Sequence, residues 1–575
     1  MNRNELMVWA WWGWEPLPFY LARKNAPGSG NASPEELREW YRLIHDEATL
    51  RRAAELGINC IVTHFLKGFG PEHEKEDVAL TAKLVKNAHK YGISVWGYLQ
   101  FGSLFSPSFY EEFPEAWEWT ARDEKGEFLR WCNSRDRFMP CVNADGYFAY
   151  LKTCIRTGLL EIGLDGLHFD NFYSRPCFCP RCREAFRQVS GMELPGEAEA
   201  AVVPPSPAVL AWTRFRCEQL ASRMTELKEY IRSIAPGAQT IWNPSPIRGV
   251  LDQRLLRGTD FCELGPRAGF LWAESGNFPG VSGGVPIHQV NFFKTAEATG
   301  CRTLSTVWKS GAEGHGLPET PAEVTLVTAE PALFGAVPGT NWLMRPRRLQ
   351  RDFPDGPLAR CWGDLIAFFK ANDTLYSGTS GCGEISLFLD RSAAEKDFAK
   401  VYGMFLALQQ LLLQKHFSFD LTFQNCGRPP RPGTLLLPVG APPAGWTGPV
   451  LKFTDGELAT EISGTYAASA GLPRNTEALV RRIGEALGPR ELTCDAPDHV
   501  FMERRRKEDG SQILHLINYD NTRPVEKIRL TFRAFPARFR LFSCEKECVF
   551  ECSGDTVVLN RLGTFATFVW EAPSC

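Results

Sequence analysis

No stretch of the 575-residue chain approaches eighteen apolar residues, so no segment reads as a membrane-spanning helix. Excess charge is missing as well. Sixty-four Lys and Arg stand against 67 Asp and Glu, and the resulting net charge of −3 offers no field to draw the chain to nucleic acid or an anionic membrane. The start, 1-MNRNELMVWAWW-12, passes at once into a strand-like run with no small-residue cleavage site behind it, so no secretory leader is expected. Internal repeats and low-complexity tracts are absent, as are HExxH, GxSxG and the Walker A pattern. Gly381-Cys382-Gly383 lacks the preceding strand and following helix that a phosphate loop needs. The basic run Arg504 to Lys507 precedes a turn signal at Asp509-Gly510 and reads as a solvated loop.

Aromatics and sulfur are abundant instead: 17 Trp, 39 Phe, 13 Tyr and 18 Cys. Trp in quantity suits flat, partly apolar ligands such as sugars. The cysteines are scattered, several within core-like segments (Cys60, Cys154, Cys217, Cys301), which is no disulfide framework and makes a reducing cytoplasm the expected compartment.

Up to about residue 355, short apolar runs alternate with amphipathic helical stretches. The strand candidates are 6-LMVWAWW-12, 60-CIVTHF-65, 93-ISVWGYLQF-101, 166-GLHFDNF-172, 239-QTIWNP-244, 260-DFCELG-265, 301-CRTLSTVWK-309 and 337-VPGTNWLM-344. Eight such units predict an α/β fold, a (β/α)8 TIM barrel over 1–355, with its active site at the carboxyl ends of the strands. A smaller α/β domain is expected over 356–490, and an antiparallel β-sandwich over 491–575, where strands such as 512-QILHLINY-519 alternate with turns.

Three thiols in six residues, Cys177, Cys179 and Cys182, have the spacing of a tetrahedral zinc site, with Cys141 the best fourth ligand and Cys132 the runner-up. Four thiolates leave no open position, so the zinc would be structural; no organic cofactor is expected. On strand four, alternation puts His168 and Asp170 on one side and Leu167 and Phe169 against the outer helices. A carboxylate at a strand's carboxyl end is where barrel active sites form, so Asp170 is a catalytic candidate. Glu263, near the end of the sixth predicted strand, is the second, with Glu274 in the following loop in reserve. Two carboxylates about 5–5.5 Å apart make a retaining glycosidase. Aromatic and polar residues crowd the same strand ends: Trp12, Trp14 and Glu15; His64 and Lys67; Tyr98; His168 and Asn171; Trp242 and Asn243; Trp308 and Lys309. Together they read as a carbohydrate pocket. His315 lies in a Gly-rich stretch that reads as a lid.

The segment 170-DNFYSRPCFCPRCREAFRQV-189 resembles the stretch around the acid/base residue of glycoside hydrolase family 42 β-galactosidases, three-domain enzymes whose zinc cysteines correspond to Cys141, Cys177, Cys179 and Cys182. The match breaks at the chemistry. Phe172 stands where that family has its acid/base Glu, and Trp308-Lys309 where it keeps its nucleophile. The segments 53-AAELGINCIVTHFLKGFG-70 and 165-DGLHFDNF-172 are instead similar to glycosyl hydrolases related to family 29 α-L-fucosidases and to the α-galactosidases of families 27 and 36. That resemblance implies an Asp nucleophile at Asp170 and, by position, an acid/base at Glu263.

The expectation is therefore a retaining exo-glycosidase acting on a terminal α-linked sugar, an α-L-fucoside or α-galactoside, and working as a homo-oligomer, dimer or trimer. Its partner is carbohydrate, with no nucleic acid and no membrane. The alternatives are a β-galactosidase-like hydrolase with a loop-supplied acid/base such as Glu313, or a non-catalytic carbohydrate-binding barrel.

Overall fold

The computed structural model describes residues 6–22, 32–244, 253–274, 277–307, 316–458, 471–473, 475–536 and 538–571. Eight short strands form one sheet: β1 (Trp9–Trp11), β2 (Cys60–Leu66), β3 (Ser94–Gln100), β4 (Gly166–Asp170), β5 (Gln239–Trp242), β6 (Phe270–Ala273), β7 (Arg302–Ser305) and β8 (Gly339–Thr340). They run in the order β7-β6-β5-β4-β3-β2-β1-β8, all neighbours parallel. A backbone bond of 2.9 Å from Val337 N to Thr303 O links the two ends, giving the expected α/β barrel. Near-continuous apolar strands suit a parallel sheet buried on both faces. Trp9, Trp11, Trp96, Tyr98, Trp272 and Leu304 fill the inside. Their neighbours in sequence, among them Ile61, Val95, Leu167 and Phe169, join the outer core shared with the helices.

Helices α1 (Pro34–Ile44), α2 (Lys75–His89), α3 (Asp145–Arg156), α4 (Pro180–Ser190), α5 (Pro207–Ile234), α6 (Phe261–Ala268), α7 (Val290–Thr299) and α8 (Pro321–Leu333) belong to this unit. Their ends obey local chemistry: α1 opens on a capping box in which the Ser33 hydroxyl accepts from Glu36 N and the Glu36 carboxylate accepts from Ser33 N.

One expected strand is a helix. Residues 260–265 fall at the start of α6, where the Asp260 carboxylate caps the first turn by accepting from Cys262 N at 2.9 Å. Phe261, Leu264, Gly265 and Ala268 form its buried stripe, a helical spacing that five residues of alternation imitate. The true sixth strand is β6, inside what the sequence presented as a loop. Glu263 consequently sits on a helix surface, 40% exposed and paired with Arg267 at 2.9 Å, and does not end a barrel strand.

Beyond the barrel, β9 (Ile385–Leu389), β10 (Phe419–Phe423) and β11 (Leu435–Val439) make a parallel sheet in the order β10-β9-β11, packed with the helix α9 (Phe398–Gln414). Two antiparallel sheets follow, one centred on Val500–Arg506, Gln512–Asn518 and Phe565–Trp570, the other on Val525–Phe532 and Thr556–Leu562. They enclose a separate core containing Leu514, Leu530, Leu559 and Phe568. The basic run is not a solvated loop: Arg504 to Arg506 belong to a strand. Arg505 is buried and grips Glu297 of α7 at 3.0 and 3.1 Å, while Lys294 of the same helix meets Glu503 at 2.7 Å. Strand alternation puts Glu503 and Arg505 on one face, so the network ties sandwich to barrel.

Cys262 of α6 and Cys426, just after β10, are joined as a disulfide with Cα atoms 5.2 Å apart, which departs from the all-reduced reading; the other described cysteines are free. Among the described residues no helix is long and apolar enough to cross a membrane.

Candidate active site

Three consecutive strands bring their ends together. Asp170 is the last residue of β4, Asn243 follows β5, and Glu274 follows β6. Alternation makes this possible: His168 and Asp170 face inward like Tyr98, against which His168 is registered, while Trp272 inside the barrel turns Glu274 inward two residues later. The Asn243 amide donates to Asp170 Oδ1 at 2.7 Å and to Glu274 Oε2 at 2.9 Å. Those two lengths from one nitrogen add to 5.6 Å, the most that can separate the two oxygens. That bound lies short of the roughly 6.5–9.5 Å that separates the carboxyls of inverting glycosidases. Asn243 is itself fixed by its backbone, N to Phe169 O at 2.9 Å and O from Phe172 N at 2.6 Å.

The two carboxyls differ electrostatically. Burial, reinforced by the Asp170 charge, pushes Glu274 up to about 7, against the Asn243 hydrogen bond and the nearby cations Lys67 and Arg257. Asp170 is 8% exposed, and its Oδ2 accepts from the Tyr98 hydroxyl and the Asn171 amide. Asn171 reaches back because its backbone is left-handed, φ 53°, a conformation Asn tolerates. Gly102 permits it, since a Cβ there would lie 2.5 Å from Asn171 Cβ.

The network continues away from Glu274. Lys67 Nζ donates to the Tyr98 hydroxyl at 2.7 Å and pairs with Glu15 at 3.2 Å. Trp14, half-buried, packs 4.9 Å from Trp11 with the Arg345 guanidinium 4.4 Å over its ring.

Other expected pocket residues are placed elsewhere. Trp12 is fully buried, its Nε1 donating to Ile44 O at 2.6 Å, and Trp242 stacks on Phe169 at 4.2 Å on the outer side of the sheet. Both belong to the outer core because alternation turns them away from the barrel axis. His168 is enclosed by Trp11, Tyr98 and Trp272; burial pushes it down to about 4, so it is a neutral core ring. His64 is held by Glu74 at 2.9 Å. Trp308, Lys309, Glu313 and His315 lie outside the described residues.

Sequence reasoning missed Glu74, whose carboxylate also accepts from the backbone N–H of Lys67, Gly68 and Phe69 at 2.5, 3.1 and 2.9 Å. It shapes the loop that presents Lys67. An acidic residue just before α2 was the available signal. Arg257, 4.3 Å over the Tyr173 ring, was also missed, because its place depends on chain packing after β5.

Beside this site lies the sulfur cluster. The Sγ atoms of Cys141, Cys177, Cys179 and Cys182 are buried and within 4.8 Å of one another, two of the pairs at 3.4 and 3.7 Å. A metal–sulfur bond of about 2.3 Å in a tetrahedron implies sulfurs about 3.8 Å apart, so the donor set fits one metal ion. Asn143 Nδ2 points at Cys182 Sγ at 3.2 Å, and Arg122 N and Asn143 N approach Cys177 and Cys141 Sγ at 3.4 Å, as donors do around thiolate ligands. The exposed Cys132 is not part of it. The cluster pins the segment after Asp170 to the start of α4 and to the turn before α3.

No protein-family model and no curated protein matches the chain. Solved structures do. Alpha-L-fucosidase isoenzyme 2 from Paenibacillus thiaminolyticus superposes with a TM-score of 0.66 at 15% identity, covering 99% of this chain and 100% of that one. Gan42B, a GH42 beta-galactosidase from G. stearothermophilus, gives 0.65 at 11% identity and 99% of both chains. The beta-galactosidase from the psychrophilic Marinomonas ef1 gives 0.63 at 12%, covering 99% and 100%. Identities this low establish the shared fold over essentially the whole length.

Proposed function

We propose that this chain is a retaining exo-glycoside hydrolase in which Asp170 is the nucleophile and Glu274, not Glu263, is the acid/base. The observation that carries the reading is the single Asn243 amide bridging two carboxyls no more than 5.6 Å apart, one of them held near neutrality. With Oδ2 accepting from both Tyr98 and Asn171 and Oδ1 from Asn243 alone, Asp170 attacks the anomeric carbon through Oδ1, the less engaged oxygen. Glu274 gives its proton to the departing oxygen, then takes one from the water that hydrolyses the glycosyl ester. Trp14 supplies an apolar face for the sugar.

The sugar we propose is a terminal α-linked one, α-L-fucose or α-galactose. A nucleophile after the fourth strand and an acid/base after the sixth follow the pattern that the resemblance to the α-galactosidases implies. A family 42 mechanism is disfavoured because Phe172, in its acid/base position, is fully buried between Phe101 and Trp242. The likeness to β-galactosidase folds keeps β-galactosides in the test. We assign zinc to the four cysteines, where all-sulfur ligation closes the ion to substrate and confines it to holding the loop after Asp170.

The experiment is nitrophenol release from a panel of aryl α- and β-glycosides, with Asp170→Asn beside the wild type. Turnover of an α-glycoside that falls on the order of 10³-fold or more in the variant supports the reading. Turnover that survives the substitution overturns the nucleophile, and turnover of β-glycosides alone overturns the linkage.

A further inference from the structure

We propose that Lys67 and Tyr98, expected from sequence to touch the sugar, are positioning residues for Asp170: a relay running from Glu15 through Lys67 and Tyr98 orients the nucleophile's carboxylate. The inference rests on the glycosidase reading above and deepens it.

The bonding capacity of one phenol oxygen carries the argument. Tyr98 Oη has one proton and two lone pairs. Lys67 Nζ donates to it from 2.7 Å, and Asp170 Oδ2 accepts its proton. Gln100 Oε1 also lies 2.9 Å from Tyr98 Oη, but a carboxylate is the stronger acceptor. Gln100 Nε2 is meanwhile buried without an acceptor. Turning that amide over resolves both facts, because Nε2 then donates to the phenol's remaining lone pair. Tyr98 Oη is now saturated, with two donors in and one proton out, and holds nothing for a sugar hydroxyl. Its exposure of 2%, and 4% for Lys67, agrees.

Electrostatics favours the same direction of donation. Burial, and next the Asp170 charge, hold the Tyr98 phenol well above its ordinary range, so it keeps the proton it donates. Burial lowers Lys67, opposed by Glu15 and then Asp170. The titratable and charged groups around Asp170 are Tyr98 on β3, Lys67 after β2, Glu15 after β1, His168 on β4, Tyr173 after β4 and Glu274 after β6. Arg137 faces Lys67 and Tyr98, and Arg257 faces Glu274.

Tyr98→Phe removes the hydroxyl and keeps the ring's packing on Trp11 and His168. The first measurement needs no substrate: thermal midpoints of wild type, Tyr98→Phe, Asp170→Asn and the double variant across the pH range. The relay predicts losses that are not additive; additive losses throughout overturn it. The second uses the aryl glycoside whose turnover depends on Asp170. Tyr98→Phe and Lys67→Met should each lower kcat on the order of 10- to 100-fold with little change in KM. A raised KM with kcat unchanged makes them sugar readers and sinks the proposal. Should Lys67→Met not fold, Lys67→Arg is expected to restore kcat in part. Coupling that persists while Asp170→Asn leaves turnover intact overturns Asp170 as the nucleophile and spares its contact with Tyr98.

Discussion

The barrel carries two concentrations of like groups on either side of one loop, four thiols and two carboxyls, and they solve the same problem in different ways. The sulfurs of Cys141, Cys177, Cys179 and Cys182 close on a common centre, with only a few N–H groups around them, and one metal ion would satisfy the whole set. Asp170 and Glu274 have no such centre. Amide and phenol donors hold one carboxyl, a single amide spans the pair, and the second keeps a proton. Closed ligation fixes structure; a carboxyl raised to about 7 is left able to move a proton near neutrality. The loop beginning at Asn171 belongs to both, so rigidity on the sulfur side serves geometry on the carboxyl side.

Substitutions can break or sharpen that contrast. The largest effect on turnover is expected from Asp170→Asn, on the order of 10³-fold or more in kcat, read by nitrophenol release. Removing the metal should act through stability. Cys182→Ser, or a strong chelator, should lower the thermal midpoint by many degrees and take activity with it, because structural metal binding is worth roughly 10 kcal/mol or more. Unchanged melting after chelation, with no zinc by elemental analysis, would dissolve the contrast.

Glu274→Gln should lower kcat about 10²- to 10³-fold on substrates with poor leaving groups, and less on good ones. It should also remove the alkaline limb of the rate profile, since the general acid is active only while protonated and activity falls as pH rises through about 7. The stability sign follows. A carboxyl raised from 4.5 to about 7 makes the folded state bind the proton more tightly, so wild-type stability falls across that interval, and Glu274→Gln should flatten the fall. Trp14→Ala is expected to raise KM about tenfold and spare kcat, the mark of lost stacking. Smallest of all, Glu263→Gln should leave kcat/KM within about twofold, because its exposed Arg267 pair is worth under about 1 kcal/mol. A large loss there would return the acid/base to the helix.

The sequence by itself determined the barrel, the shared face of His168 and Asp170, and the clustered sulfur positions, because each rests on local rules: period-two alternation, helix–strand alternation, and ligand spacing in a short loop. Cys141 lies farther off; its place just before a helix made it the best fourth candidate, and the family resemblance agreed. The tertiary structure alone decided the rest. Residues 260–265 alternate well enough for a strand, yet Asp260 caps them into a helix, and the four residues of β6 were too few to announce themselves. Alternation marks which residues share a face but not which face is inside, so Trp12 and Trp242 could be assigned only once the helices packed against them. The partnership of Asp170 with Glu274 is of the same kind. Their 104-residue separation carries no periodic signal, and the contact exists because adjacent parallel strands end at one level and Asn243 reaches both.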